Sequence, residues 1–600
     1  MKRPRSGYLE SFLSPAALAR RPQRLLPWIT IACVGFFFIV ERQRRFLEGT
    51  DGAENPDKLD INQVPVKTEM EALAKRHAEL AKETTHLAEE AERLAESLKH
   101  PSLLASSQPP APPLATTLQD GMLNIEAMSI DFDGWVKAGP DVAKRDAVKA
   151  AMAHAWKGYS TYSFGMDELQ PIAKRGKNLF AGLGATIIDS LDTLYIMGMM
   201  DEYNKAREWV ATSLTFDKQF EASVFETVIR IVGGFLSAYD LSGDRMYVDK
   251  CKELVERLQP AYRTPTGIPY NVVNLKTGQA KNPAWTQQAS TLAEFGTQQL
   301  EFVGLSHATG DSKYAQQAEY VIKYATDPTA HRNRQVPAGG EGLYPLFLNP
   351  ISGMWTSPKI SFGAMGDSFF EYLIKMWVQG GRTPALDRYR ELFDKSMDGM
   401  INVLVQQSSP SGLVYVAEWD RAGLVHKMDH LACFVPGMLA LGANGENAKR
   451  YLTIAQQLMY TCVQMYFRQP SGLAPEFVWF RKGEDMVSGA HHNLLRPETV
   501  ESLMILYRKT GDPIYRQWGW RIFQAFETHC KVPDGYVGLR DVRSPTPQKD
   551  DTMQSFFLAE TLKYLYLLFD DTSHIAMDEW VFNTEAHPTK VFRRDTSFIN

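Results

Sequence analysis

"LLRPETVESLMILYRKTGD", Leu494 to Asp512, opens with Arg496, Glu498 and Glu501 and then turns into core. Val500, Leu503, Met504 and Tyr507 recur at helical spacing behind Pro497, which the first turn of a helix tolerates. Acids suit the positive end of a helix, so capping alone accounts for the charges. Alternatively, this helix end faces a site. The choice turns on whether the pattern recurs.

It recurs along the chain from about residue 134. The companions are "DSLDTLYIMGMMDEY", "FETVIRIVGGFLSAYDLSGD", "LAEFGTQQLEFVGLSHATGD", "DSFFEYLIKMWVQGG", "HLACFVPGMLALGANGE" and "SFFLAETLKYLYLLFDD". Each has an acidic or polar opening, an apolar helix, a turn often containing Gly-Asp, and usually a second helix. From the second segment onward the openings are marked by Glu226, Glu294, Asp367, His430, Glu498 and Glu560, spaced 68, 73, 63, 68 and 62 residues apart. That period suits two helices and a loop. Such hairpins stack as an open solenoid or close into a ring. In a ring the more apolar first helices form the inner layer, and their polar openings gather at one mouth. Glu498 then belongs to a pocket.

The region before the repeats is of another kind. Leu25 to Val40, "LLPWITIACVGFFFIV", is uncharged; Lys2, Arg3, Arg5, Arg20, Arg21 and Arg24 precede it, and Arg42, Arg44 and Arg45 follow. The excess of positive charge ahead of it predicts a single-pass signal anchor over 25–40 with residues 1–24 in the cytosol. No small-x-small cleavage site follows. Residues 41–133 form a lumenal stem. Within 66–99, Leu73, Leu80, Leu87 and Leu94 fall seven apart, so this helix pairs two copies as a marginal coiled coil or stands alone as a charged stalk. A Pro-rich linker over 101–117 leads to a catalytic domain over 134–592, with 593–600 as a tail. The net charge of -5 and pI near 6.3 offer no footprint for nucleic acid.

Chemistry concentrates at the openings. Glu226 and Arg230 are four apart and share a helical face, as do Asp367 and Glu371. Phe225, Phe369, Phe370, Phe556 and Phe557 stand beside these acids in sequence. Carboxylates bind hydroxyls and flat rings cover the C–H face of a sugar, so the set suits carbohydrate. Two acids across a pocket suffice for glycoside hydrolysis. Glu498, at a helix start, is the ionised member and suits a base.

In "GATIIDSLDTLYIMG", "FETVIRIVGG", "GAMGDSFFEYL", "HLACFVPG", "GLAPE", "HNLLRPETVESL", "SFFLAETLKYLYLLF" and "WVFNTEAHP", the chain resembles the class I α-1,2-mannosidases of glycoside hydrolase family 47 over roughly 140–592. The resemblance implies an all-α, (α/α)7 barrel and an inverting exo-α-1,2-mannosidase that trims high-mannose N-glycans in the Golgi or endoplasmic reticulum membrane. It makes Glu498 the base and leaves the acid on Glu226, acting through a water, or on Asp367. Thr584 matches a Ca2+ ligand through its hydroxyl and carbonyl oxygens. Arg230, His430, Glu476, Arg496, Glu501, Phe556, Glu560 and Glu585 match residues around bound mannose, and Cys433 and Cys462 match a disulfide pair. Endoplasmic reticulum members resemble "RADS" where this chain has "MGDS". Met365, like Gln554-Ser555-Phe556, is similar to the Golgi type, which removes several mannoses towards five. A rival within the superfamily is a lectin-like member that marks misfolded glycoproteins for degradation.

Overall fold

The computed structural model describes residues 130–599; the expected anchor, heptad helix and Pro-rich linker lie outside the described residues. Among the described residues no helix is long and apolar enough to cross a membrane.

The recurring Gly-Asp pair sets the architecture. Gly243, Gly310 and Gly511 close their helices at φ 76°, 76° and 74°, a left-handed conformation that glycine adopts without strain. The aspartate after each glycine accepts an amide hydrogen from the first turn of the next helix. Asp244 accepts from the amide of Met246 at 3.0 Å, Asp311 from Lys313 at 3.1 Å and Asp512 from Ile514 at 2.9 Å. Each pair therefore folds two helices into an antiparallel hairpin.

In chain order the barrel helices are α1 (Val142–Tyr162), α2 (Ala185–Ile196), α3 (Met200–Thr212), α4 (224–242) and α5 (Arg245–Leu258). There follow α6 (292–309, broken after Gly296), α7 (Lys313–Thr326), α8 (Asp367–Gln379), α9 (Asp387–Gly399) and α10 (Val435–Leu441). The last are α11 (Ala448–Phe467), α12 (Glu498–Thr510), α13 (Pro513–His529) and α14 (557–569). Even-numbered helices touch one another in sequence around an inner ring, and α14 returns to α2. Odd-numbered helices pack outside them.

Burial explains the sorting. Every residue of Leu562–Phe569 in α14 is buried, whereas α5 buries one stripe, including Tyr247, Val248, Cys251, Leu254, Val255 and Leu258. Each fully buried Leu or Phe contributes about 1.5–3 kcal/mol, so exchanging the layers would forfeit most of the core. The inner partner of α1 is α14, at the other end of the chain. The first helix thus completes the seventh hairpin and closes the ring, one of the two arrangements the repeats allowed and the one the resemblance implied.

Short antiparallel ladders of two or three strands join the helices. One of them, Trp580–Phe582 paired with Pro588–Lys590, packs against α8 and α4 and carries its tip, 583–587, into the barrel. At Gly233 of α4 an added Cβ would lie 2.5 Å from the Asn583 amide nitrogen and 3.1 Å from the His587 ring. Only glycine lets helix and hairpin approach so closely. Beyond the hairpin the chain stays on the barrel, with Arg594 paired to buried Glu319 at 2.6 Å.

Cys433 and Cys462 are disulfide-bonded with Cα atoms 5.8 Å apart, while Cys251 and Cys530 are buried thiols. The bridge closes a loop over a separation of 29 residues, and closure of that size removes about 3–4 kcal/mol of unfolded-chain entropy. The Cys433→Ala/Cys462→Ala double variant should therefore melt below the wild type. An unchanged melting temperature would show that the bridge adds no stability.

Candidate active site

The inner helices start at one end of the barrel, and their first turns enclose a pocket of about 270 Å³. Glu498 and Asp367 are the first helical residues of α12 and α8. Ser223 caps α4, its hydroxyl accepting from the Glu226 amide at 3.2 Å. Arg230 and Glu560 lie one turn deeper, on π turns at Thr227–Val232 and Phe557–Thr561. A π turn changes the angle at which successive side chains leave the helix, and here it accompanies the two residues aimed into the pocket. The hairpin tip contributes Thr584 and Glu585 to the lining.

Glu226, Arg230, Met365, Asp367, Arg496, Glu498, Glu501, Phe556, Glu560, Thr584 and Glu585, all expected at the site, line the pocket. His430 and Glu476 stand one layer behind. The His430 Nδ1 meets Glu498 Oε2 at 2.8 Å, and its Nε2 meets the Tyr466 hydroxyl at 2.7 Å. Arg496 Nε donates to Glu476 at 2.7 Å. Each therefore orients a lining residue from behind.

Two of the five phenylalanines expected as platforms, Phe225 and Phe556, reach the pocket. Phe556 lies between the guanidiniums of Arg230 and Arg496, 5.8 Å and 6.0 Å from its ring centre. Phe369, Phe370 and Phe557 are fully buried in the wall. Their positions beside the helix starts turn them about 100° per residue away from the acids. Glu294 and Glu371 also line the pocket. Both carried a signal in sequence, Glu294 as the mark of the third repeat and Glu371 four residues beyond Asp367. Leu431 and Phe434 add an apolar wall for which their segment gave no local sign.

Met365 has φ 75°, unusual for a residue with a side chain and a mark of local strain. Its carbonyl accepts from the Ala293 amide at 2.8 Å, tying the loop to α6. At neighbouring Gly366 a Cβ would stand 2.2 Å from the Ser361 carbonyl oxygen. That glycine is a steric requirement of the turn that presents Met365.

The electrostatics separate two acids. Burial pushes Glu498 up, but the His430 hydrogen bond and the Arg496 guanidinium together hold it below the ordinary carboxylate value. Burial pushes Asp367 up to about 7, against one hydrogen bond from the Ser368 amide and with help from the charges of Glu371 and Glu498. Near neutrality one carboxylate is therefore ionised while the other still holds a proton. Deeper in the pocket, burial and neighbouring acids push Glu501 and Glu585 to about 8 and raise Glu560 well above the ordinary carboxylate value. Eight carboxyls line the pocket against two guanidiniums, those of Arg230 and Arg496. The surplus of hard oxygen ligands, with no thiol or imidazole in the lining, suits a divalent cation of the calcium type.

A family model described as glycosyl hydrolase family 47 matches residues 151–591. The chain is 54% identical over 459 residues to a mannosyl-oligosaccharide 1,2-alpha-mannosidase of Arabidopsis thaliana, covering 76% of this chain and 80% of that protein. It is 45% identical over 463 residues to mannosyl-oligosaccharide alpha-1,2-mannosidase IA of Drosophila melanogaster, covering 75% and 67%. Among solved structures, an alpha-1,2-mannosidase from Trichoderma reesei superposes with a TM-score of 0.70 at 29% identity, covering 76% of this chain and all of that one.

Proposed function

This chain belongs to glycosyl hydrolase family 47, and on that premise we infer how its pocket hydrolyses terminal α-1,2-mannosyl bonds of high-mannose N-glycans. The enzyme is a mannosyl-oligosaccharide 1,2-α-mannosidase acting with inversion. The observation that carries the mechanism is the opposed displacement of Glu498 and Asp367 within one pocket. Ionised Glu498 takes a proton from the attacking water as that oxygen bonds to the anomeric carbon. Asp367 gives its proton to the leaving glycosidic oxygen as the old bond breaks. His430 supports this role by donating from Nδ1 to Glu498, which leaves Nε2 to accept from Tyr466 or from Thr499 at 3.1 Å. Glu226, bound to Arg230 at 2.8 Å, shapes the side of the pocket opposite the base.

Calcium is the metal the donor set fits. Thr584 would hold it through its hydroxyl and carbonyl oxygens. Among the described residues no group of three His, Cys, Asp or Glu side chains is placed to bind a metal directly, so waters held by the surrounding carboxylates would have to complete the shell. When bound, the ion supplies positive charge that offsets the acids and orients sugar hydroxyls. A calcium chelator should abolish activity and lower the melting temperature, and added calcium should restore both. Full activity after exhaustive chelation would exclude the metal.

Met365 supports a broad, Golgi-type specificity. Methionine offers no donor and a flexible apolar surface, whereas an arginine there could fix one branch by several hydrogen bonds. Wild type should trim a nine-mannose glycan through several α-1,2-mannoses towards five. Met365→Arg should slow some branches about tenfold relative to others, a difference of about 1.4 kcal/mol in barrier. Separation of the product isomers over time reads this, and a wild type that stops after one mannose refutes it. The charge asymmetry about Leu25–Val40 supports a lumenal barrel behind a single-pass anchor in the Golgi or endoplasmic reticulum membrane.

A further inference from the structure

Two buried lysines grip the hairpin tip from opposite sides. Lys375 of α8 is 1% exposed and donates from Nζ to the Asn583 carbonyl at 3.3 Å. Lys563 of α14 is 0% exposed and donates from Nζ to the Ala586 carbonyl at 2.7 Å. Thr584 and Glu585 are the two residues between those carbonyls. Each lysine also meets an acid of the barrel wall, Lys375 meeting Glu371 and Lys563 meeting Asp192 at 2.8 Å. Asp192 in turn accepts from the Ser237 hydroxyl at 2.9 Å and meets the His587 ring at 2.8 Å.

Buried charges of this kind add little net stability, because desolvation offsets most of the attraction. Well-packed apolar residues would hold two helices as firmly. Apolar residues would not hold a peptide at a fixed height, since only a donor can engage a carbonyl oxygen inside a core. The tip needs such support, because Ala586 stands at φ 60°, a strained conformation that persists only where its surroundings enforce it.

We propose that Lys375 and Lys563 are positioning residues that clamp the tip at both ends and so fix the Thr584 oxygens for calcium. The proposal rests on the assignment of Thr584 as a calcium ligand. Neither lysine lines the pocket, yet in this role both belong to the metal site, beyond any neutralisation of nearby acids.

The test is an equilibrium calcium-binding titration of the purified enzyme at fixed temperature, with the melting temperature, kcat and KM measured alongside. Lys375→Met and Lys563→Met should each raise the calcium concentration at half-effect about tenfold or more. Saturating calcium should then restore most of kcat. Loss of neutralisation alone would lower the melting temperature with and without calcium and leave the half-effect concentration in place or lower it, because the pocket acids Glu371 and Glu501 lose a positive neighbour; either result overturns the proposal. Thr584→Val serves as the reference. If it leaves calcium dependence unchanged, the ligand assignment fails; if it shifts the dependence and the lysine variants do not, only the clamp fails. Should a methionine variant not fold, Lys→Gln at the same position is measured instead, as an uncharged donor. Failure of the glutamine variant to fold in saturating calcium also overturns the proposal, because the lysine then serves the core.

Discussion

Glu498→Gln should lower turnover by at least about 100-fold, the usual scale for loss of an acid–base group. The amide keeps the shape of the carboxylate and still fits the start of α12, where Glu498 is the first helical residue. It can accept a hydrogen bond from His430 Nδ1, now 2.8 Å from the carboxylate. It cannot take a proton from water. The loss should therefore fall on kcat, with folding and calcium-dependent melting close to wild type. Turnover near the wild-type value in the purified variant would remove Glu498 from the role of base.

Asp367→Asn should have an effect of similar size, about 100-fold or more, with a distinct signature in pH. The protonated acid is the working form, and burial raises Asp367 to about 7. Wild-type kcat/KM should therefore fall as pH rises through about 7, while Glu498, held below the ordinary carboxylate value, stays ionised down to acidic pH. In the asparagine variant that alkaline limb should vanish from the residual activity. If it persists there and disappears in Glu226→Gln instead, Glu226 is the proton donor.

Stability gives a second readout. With its folded value raised from 3.8 to about 7, Asp367 favours folding least above pH 7, where the native state must hold a buried charge. The melting-temperature advantage of the asparagine variant should thus grow from pH 4 to pH 7 and level off above. A variant less stable than wild type at pH 8 would contradict the desolvation account.

The helical hairpins were legible because their signals are local. Apolar spacing in "ETVESLMILYRKTGD" and the Gly511-Asp512 turn reach no further than four residues along the chain. The same holds for Glu226 and Arg230, one turn apart on one face and paired at 2.8 Å. The quoted motifs then placed most of the pocket lining by resemblance. Phe369 and Phe557 show where locality fails, since adjacency in sequence to an acid does not set the direction in which a ring points from a helix.

By itself the sequence determined the period of the hairpins, the apolar character of the inner layer, the acids at the openings and the Cys433–Cys462 partners that the resemblance implied. Only the tertiary structure decided that α1 completes the last hairpin against α14, that His430 and Glu476 stand behind the residues they orient, and that Lys375 and Lys563 meet the tip at 583–587. Helix period and capping depend on neighbours a few bonds away. Closure of a ring, and the height of a hairpin within it, depend on side chains more than two hundred residues apart at Lys375 and Asn583. Those contacts exist only once the whole core has packed.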